Sequence, residues 1–64
     1  MFNLNKYESF KIVVHGRHRQ PIRRETFKGA ENTARRLHKQ GEVGTVEGVW
    51  YDENGIHFDL LIKF

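Results

Sequence analysis

The chain has 64 residues, no cysteine and a formal net charge of +3, which favours one small domain and excludes disulfides and thiolate zinc sites. A domain of this length buries only about 60% of the surface that its unfolded chain exposes, which leaves little room for a deep catalytic pocket. No apolar run approaches the roughly 20 residues that a membrane-spanning helix needs, and the first residues lack the apolar region of a secretory signal. We therefore expect a single domain over residues 1–64, located in the cytoplasm and making no membrane contact.

The basic residues are concentrated in the first two thirds of the chain. Residues 1–41 contain ten lysines and arginines against three acidic residues, a net charge of +7, whereas residues 42–64 contain one against five, a net charge of −4. Such a polarised chain can steer a charged partner toward its basic part. Solvated helix and strand faces can produce the same distribution, and the sequence leaves both interpretations open.

Two strands are predicted before the helix. Residues 1–8 show no regular hydrophobic period, and we expect them to form a partly flexible lead-in. Residues 9–16 alternate between the two sides of an extended chain, which predicts a strand. Residues 21–26 predict a second strand, antiparallel to the first. Because Pro21 has no N–H to donate to a ladder, this strand begins there or lies at an edge of the sheet.

Residues 26–41 form the one stretch whose pattern predicts a helix. Its apolar residues recur at steps of three and four and fall on one stripe: Phe27, Ala30, Ala34 and Leu37. Thr26 is placed to act as the N-cap, and Gly41 follows the last turn, where a helix commonly ends. The opposite side of the helix carries basic residues, namely Lys28, Arg35, Arg36 and Lys39.

Residues 45–51 are rich in β-branched and aromatic side chains and predict a third strand. We expect Val46 and Trp50 to point toward the helix. Gly48, which lies between them, either makes room for the helix or marks a bulge.

Residues 52–55 carry the strongest turn signal, because Asn54 and Gly55 tolerate a positive φ. Residues 56–64 then alternate over their whole length, with Ile56, Phe58, Leu60, Ile62 and Phe64 on one side. This is the most apolar strand, so we expect it at the centre of the sheet.

The elements together predict an α+β fold, with a single antiparallel sheet of four strands and one helix packed on one face, in the order ββαββ. The other face of the sheet is then open to water. The strand periods assign the following residues to that open face: Lys11, Val13, His15, Glu47, Val49, Tyr51, His57, Leu61 and Lys63.

Catalytic and metal chemistry find little support in the sequence. The four histidines, at positions 15, 18, 38 and 57, match no metal-ligand spacing, and the glycines form no phosphate-binding loop. His57 and Asp59 lie two apart on one strand, as a carboxylate-supported histidine requires, but any solvated strand face has such pairs. We therefore predict no catalytic residue, no metal site and no cofactor.

Surface binding is the remaining possibility. The predicted partner-binding residues are the basic side chains of the first hairpin and the helix, with one aromatic residue of the open face: Arg17, Arg19, Arg23, Arg24, Arg35, Arg36, Lys39 and Tyr51. Guanidinium groups suit carboxylates and phosphates alike, so the partner is an acidic protein or a nucleic acid. Tyr51 could stack on a base. The open face could equally join two copies of the chain.

The arrangement of the chain resembles that of very small phage-encoded inhibitors, including type I-F anti-CRISPR proteins and phage inhibitors of host RNA polymerase. The resemblance lies in Thr26 and residues 30–37, 44–46 and 48–55, and it carries over no functional residue. It implies a protein that occupies a surface of a larger protein or nucleoprotein complex in the cytoplasm of a host cell. The leading hypothesis is therefore a non-enzymatic inhibitor acting through its arginines. Direct nucleic-acid binding and a dimerising module are the alternatives.

Overall fold

The computed structural model describes residues 4–16 and 20–64. A 3-10 turn precedes four strands and one helix, whose bounds are Leu4–Lys6 for the turn, Ser9–Val14 (β1), Ile22–Arg24 (β2), Phe27–Lys39 (α1), Gly44–Asp52 (β3) and Gly55–Lys63 (β4). The strands form one antiparallel sheet in the order β2-β1-β3-β4. The predicted α+β fold with the element order ββαββ is confirmed. Strand β2 has three residues, fewer than the predicted six.

Helix α1 begins and ends where its capping residues predict. The Thr26 hydroxyl accepts a hydrogen bond from the Gly29 N–H at 3.1 Å, and Gly41 follows the helix with a φ of +83°. The buried residues of the helix are Ala30, Thr33, Ala34 and Leu37, and Phe27 at its start is half-buried. Within residues 4–16 and 20–64, no helix is long and apolar enough to cross a membrane.

The core lies between α1 and the two central strands. Ile12 of β1 and Val46 of β3 are cross-strand neighbours, and both are fully buried, with an exposed fraction of 0%. Phe10 and Val14 flank Ile12 on the same face of β1 and complete the layer that meets Leu37 of the helix. The side of β3 predicted to face the helix is thereby confirmed for Val46.

Strand β4 lies at an edge of the sheet, and its predicted central position is wrong. The prediction placed residues 56–64 at the centre because they form the most apolar strand. The helix instead packs on β1, β3 and β2. Only the last part of β4, at Leu61 and Ile62, and the following Phe64 pack against the core. The remaining apolar side chains of β4 are available to solvent.

A β-bulge in β4 explains why the predicted faces of this strand are wrong. Val46 pairs with Ile62, but Glu47 pairs with Leu60. Leu61 is therefore the extra residue, and the alternation of side chains changes phase there. Leu61 packs against the core, although the sequence assigned it to the open face.

Residues on the turn side of the bulge have the opposite orientation to the predicted one. Cross-strand partners share a face of the sheet, so the pairing of Val49 with Phe58 and of Glu47 with Leu60 places these side chains on the open face. His57 pairs with Trp50 and lies on the helix side, not on the open face as predicted. His15, also assigned to the open face, lies just beyond the end of β1.

Gly48 makes room for an aromatic ring from the N-terminal segment. A Cβ at this position would lie 2.5 Å from Cδ1 of Tyr7, which is half-buried and packs against the core. The sequence had suggested that Gly48 makes room for the helix or marks a bulge, and the structure shows neither. Tyr7, which belongs to the predicted lead-in, thus contributes to the packing of the sheet.

Candidate functional site

The arginines predicted to form one basic surface are distributed over both sides of the sheet. Arg17 and Arg19 lie outside the described residues. Arg23 pairs with Lys11 on the open face and forms an ion pair with Glu25. The Arg24 side chain lies on the helix side, where its Nε donates a hydrogen bond to the Thr33 hydroxyl at 3.1 Å.

The helix carries its cations away from the sheet. Arg35, Arg36 and Lys39 are exposed, and the Arg35 guanidinium lies 3.7 Å from the Glu31 carboxylate one turn earlier. Tyr51 is 55% exposed on the opposite face of the sheet, as its predicted orientation requires. The described residues of the predicted site therefore lie in two separate places. Arg24, Arg35, Arg36 and Lys39 lie on the helix side of the sheet, whereas Arg23 and Tyr51 lie on the open face.

The open face carries an apolar surface, of which the sequence had placed only the two residues of β3, Val49 and Tyr51, on this side. We name it the open-face patch, and its residues are Val49, Tyr51, Ile56, Phe58 and Leu60. Val49 is 6% exposed, whereas the other four side chains are between 48% and 55% exposed. Val49 pairs with Phe58, and Tyr51 pairs with Ile56, so these side chains are contiguous.

Basic side chains border the open-face patch. Lys11 on β1 extends over the patch, with its Nζ 4.8 Å from the centre of the Phe58 ring. The register also places Lys63 on this face, together with Arg23, which is paired with Glu25. Glu47, on the same face, lies opposite both Lys11 and Leu60. The patch is thus an apolar centre beside charged residues of both signs, with a small excess of positive charge.

A second cluster of side chains lies on the helix side of the β3–β4 hairpin, beyond the end of the helix layer. The Tyr7 hydroxyl donates a hydrogen bond to the Asp59 carboxylate at 2.8 Å. Lys6 Nζ lies 3.1 Å from the same carboxylate and 4.4 Å from the centre of the Trp50 ring. Trp50 in turn stacks on His57, with 4.2 Å between the ring centres. These contacts attach the N-terminal segment to the hairpin.

Trp50 points to the helix side as predicted, but the helix does not cover it. Lys6 and His57 lie over the ring instead. The indole Nε1 is buried and has no hydrogen-bond partner among residues 4–16 and 20–64. The indole N–H nevertheless lies close enough to Asp59 to contribute to the lowered pKa of that carboxyl.

The carboxylate that contacts His57 belongs to Asp52, the last residue of β3 before the turn. Its Nε2 lies 2.8 Å from Oδ1 of Asp52, and the same oxygen accepts the Asn54 N–H at 2.8 Å. These two hydrogen bonds lower the pKa of Asp52. Asp59, the carboxylate that the strand spacing suggested for His57, is bound by Tyr7 and Lys6 instead. In the described part of the chain, no group of three His, Asp or Glu side chains could hold a metal ion.

The contacts of Asp59 make the attachment of the N-terminal segment sensitive to pH. The hydrogen bond from Tyr7 and then the contacts with Lys6 and Trp50 lower the pKa of Asp59 below its ordinary value of 3.8. Burial, followed by the interaction with the Asp59 carboxylate, raises the pKa of Tyr7 above 10.0. Both shifts favour the state in which a neutral tyrosine donates to a charged carboxylate.

We expect Asp59→Asn to make the stability of the fold less dependent on pH in the acidic range. A folded-state pKa below the unfolded-state value stabilises the fold above that value, and this contribution is lost as the pH falls through the folded-state pKa. The midpoint of urea unfolding, measured from neutral pH to below about pH 4, should fall less steeply in the variant. Because the pKa of Asp52 is also lowered, the variant should still lose some stability as the pH falls. Glu53→Gln, in the exposed turn, is the control, and an equal loss of stability with falling pH in all three proteins would contradict the assignment to Asp59.

The fold and the open-face patch define a small α+β protein with one uncovered, apolar sheet face. No protein-family model, curated protein or solved structure matches the chain.

Proposed function

We propose that this chain is a non-catalytic binding protein whose contact surface is the open-face patch. The observation that carries this proposal is the exposure of four large apolar side chains, each about half accessible, on the face of the sheet opposite the helix. Contiguous exposed apolar side chains bordered by polar ones are typical of protein-binding surfaces. The two aromatic residues, Tyr51 and Phe58, belong to the types that contribute most to binding energy.

The chemistry around the patch specifies the partner. An apolar centre with Lys11 over the Phe58 ring and Lys63 on the same face complements a protein surface with an apolar protrusion and flanking acidic residues. The inhibitor hypothesis from the sequence is retained in this form. The chain would occupy such a surface on a larger protein complex and thereby exclude other partners. The helix cations Arg35 and Arg36 lie on the opposite side and are not needed for this contact.

Single-stranded nucleic acid is the second candidate partner. Tyr51 and Phe58 are exposed on the open face, and Lys11 lies over the Phe58 ring. Aromatic platforms with adjacent cations bind unpaired bases and the phosphates that join them. The aliphatic residues Ile56 and Leu60 have no role in that mode of binding, which is why a protein partner is favoured.

The test is affinity capture from a lysate of the cells in which the protein acts, with and without nuclease. The combined substitutions Phe58→Ser and Leu60→Ser should reduce capture of the partner by at least about tenfold, because residues at the centre of an interface contribute most of its affinity. Both side chains are about half exposed, so the variant should fold. Circular dichroism and the thermal midpoint provide that check.

The matched control reverses charge on the other side of the domain, with Arg35→Glu and Arg36→Glu. We expect this variant to capture the partner as the unchanged protein does. Loss of capture in the control alone would transfer the binding surface to the helix and overturn the proposal. Loss of capture after nuclease treatment would favour the nucleic-acid candidate.

A further inference from the structure

The two edges of the sheet differ in how well they are protected against further strand pairing. β2 is three residues long, follows Pro21 and carries Arg23 and Arg24, and short strands with proline and charge discourage pairing. β4 is nine residues long and contains no proline. Because it is the last strand of the sheet, every second residue directs its backbone N–H and C=O away from β3.

We propose that two copies of the chain associate by antiparallel pairing of their β4 edges over residues 56–60. A two-fold axis through Phe58 would pair this residue with its own copy and produce one continuous sheet of eight strands. Closed two-fold association is the commonest arrangement of identical chains. The proposal rests on the free edge, and it is independent of the partner proposed above.

The sequence of residues 56–60 is complementary to itself in this register. Ile56 lies opposite Leu60 of the second copy, which forms an apolar pair on each side of the central Phe58. On the other face, His57 lies opposite Asp59 of the second copy, so no two like charges face each other. Apolar cross-strand pairs stabilise antiparallel strands, whereas like charges directly opposite each other destabilise them.

The register shifted by one residue toward the bulge is less favourable. An axis through Asp59 would place two carboxylates opposite each other, which destabilises a pair of strands. That register would also extend the pairing past Leu61, where the bulge interrupts the regular ladder. The bulge therefore limits the paired segment to the five residues that are self-complementary.

The resulting dimer would have one uninterrupted apolar surface. In-plane pairing keeps both open faces on the same side of the sheet, so Ile56, Phe58 and Leu60 of each copy would be adjacent to those of the other. An interface of five residues per chain is well below the roughly 20–30 residues per side of a standard specific complex. We therefore expect a weak dimer, populated at high micromolar concentration.

Sedimentation equilibrium of the full chain tests the pairing. The wild-type protein should show a reversible dimer, and Phe58→Lys should weaken self-association by at least about tenfold, because like charges would face each other across the axis. Tyr51→Lys is the matched control: Tyr51 is similarly exposed on the same face but lies on β3, away from the edge. A wild-type protein that remains monomeric up to about 1 mM overturns the inference. Equal dissociation by both variants also overturns it, because it would indicate face-to-face stacking.

Cross-linking gives a second measurement, because a disulfide traps a dimer that is only briefly populated. The chain has no cysteine, so each introduced thiol can only link two copies of the chain. Phe58→Cys should form an intermolecular disulfide at least about tenfold faster than Tyr51→Cys, since cross-strand residues lie within disulfide reach. Equal rates would contradict the register. A monomeric protein that still captures its partner would overturn this inference and leave the proposed function standing.

Discussion

Ile12→Ala is expected to remove most of the stability of the fold. Ile12 is fully buried at the centre of β1, between Ile22 of β2 and Val46 of β3 and beneath the helix. Truncating a buried isoleucine costs about 2–5 kcal/mol, and a 64-residue domain has roughly 3–10 kcal/mol of stability in total. Chemical denaturation followed by circular dichroism should show a midpoint close to zero denaturant.

Val13→Ala is the matched control for that substitution. Val13 is the next residue of the same strand, but it is half-buried on the open face. Removing its two methyl groups should cost only about 1 kcal/mol, because a half-buried side chain contributes little buried apolar surface. A similar loss of stability in the two variants would mean that the helix side of the sheet is not the principal core.

The helix and its stripe could be predicted from the sequence because their determinants are local. Thr26, Gly41 and the steps between Ala30, Ala34 and Leu37 act within a few residues of one another. The same is true of the β3–β4 turn, although Gly55 adopts a positive φ there and Asn54 does not. Such signals do not depend on which strands become neighbours.

The position and faces of β4 could not be predicted because a single bulge determines them. Leu61 is an ordinary aliphatic residue, and no glycine or proline marks it as the extra one. The prediction extended one alternation through it, which placed Phe58 and Leu60 in the core and His57 outside. The open-face patch was missed for this reason. The apolar content of the strand was recognised correctly. The register between β3 and β4, however, decides on which face of the sheet those apolar side chains lie.

The role of the N-terminal segment depends on contacts between residues far apart in sequence. Tyr7 and Asp59 are 52 positions apart, and residues 1–8 have no period that would predict a packing role. Gly48 gave the only signal, since an unexplained glycine inside a strand indicates close approach of another group. The sequence suggested the helix as that group, whereas the structure shows an aromatic ring.

Gly48→Ala should therefore destabilise the protein through Tyr7. The new Cβ would lie within 3 Å of Cγ, Cδ1 and Cε1 of the Tyr7 ring, so the whole ring must move. Its displacement would weaken the hydrogen bond to Asp59 and the contact with Phe10, whose ring centre is 5.8 Å away. Overpacking of this kind costs about 1–3 kcal/mol, measurable as a lower midpoint of denaturation.

The Tyr7→Ala background provides the decisive comparison. Without the ring, Gly48→Ala has no steric penalty there, and alanine restricts the unfolded chain more than glycine does. The same substitution should then be neutral or stabilising, by up to about 1 kcal/mol. The two substitutions should thus show a coupling energy within the range of about 0.5–3 kcal/mol seen for residues in contact. An unchanged effect of Gly48→Ala in that background would show that the glycine serves β3 itself, for example through its backbone conformation. A positive coupling would establish that the N-terminal segment is a structural part of the sheet, which its sequence does not reveal.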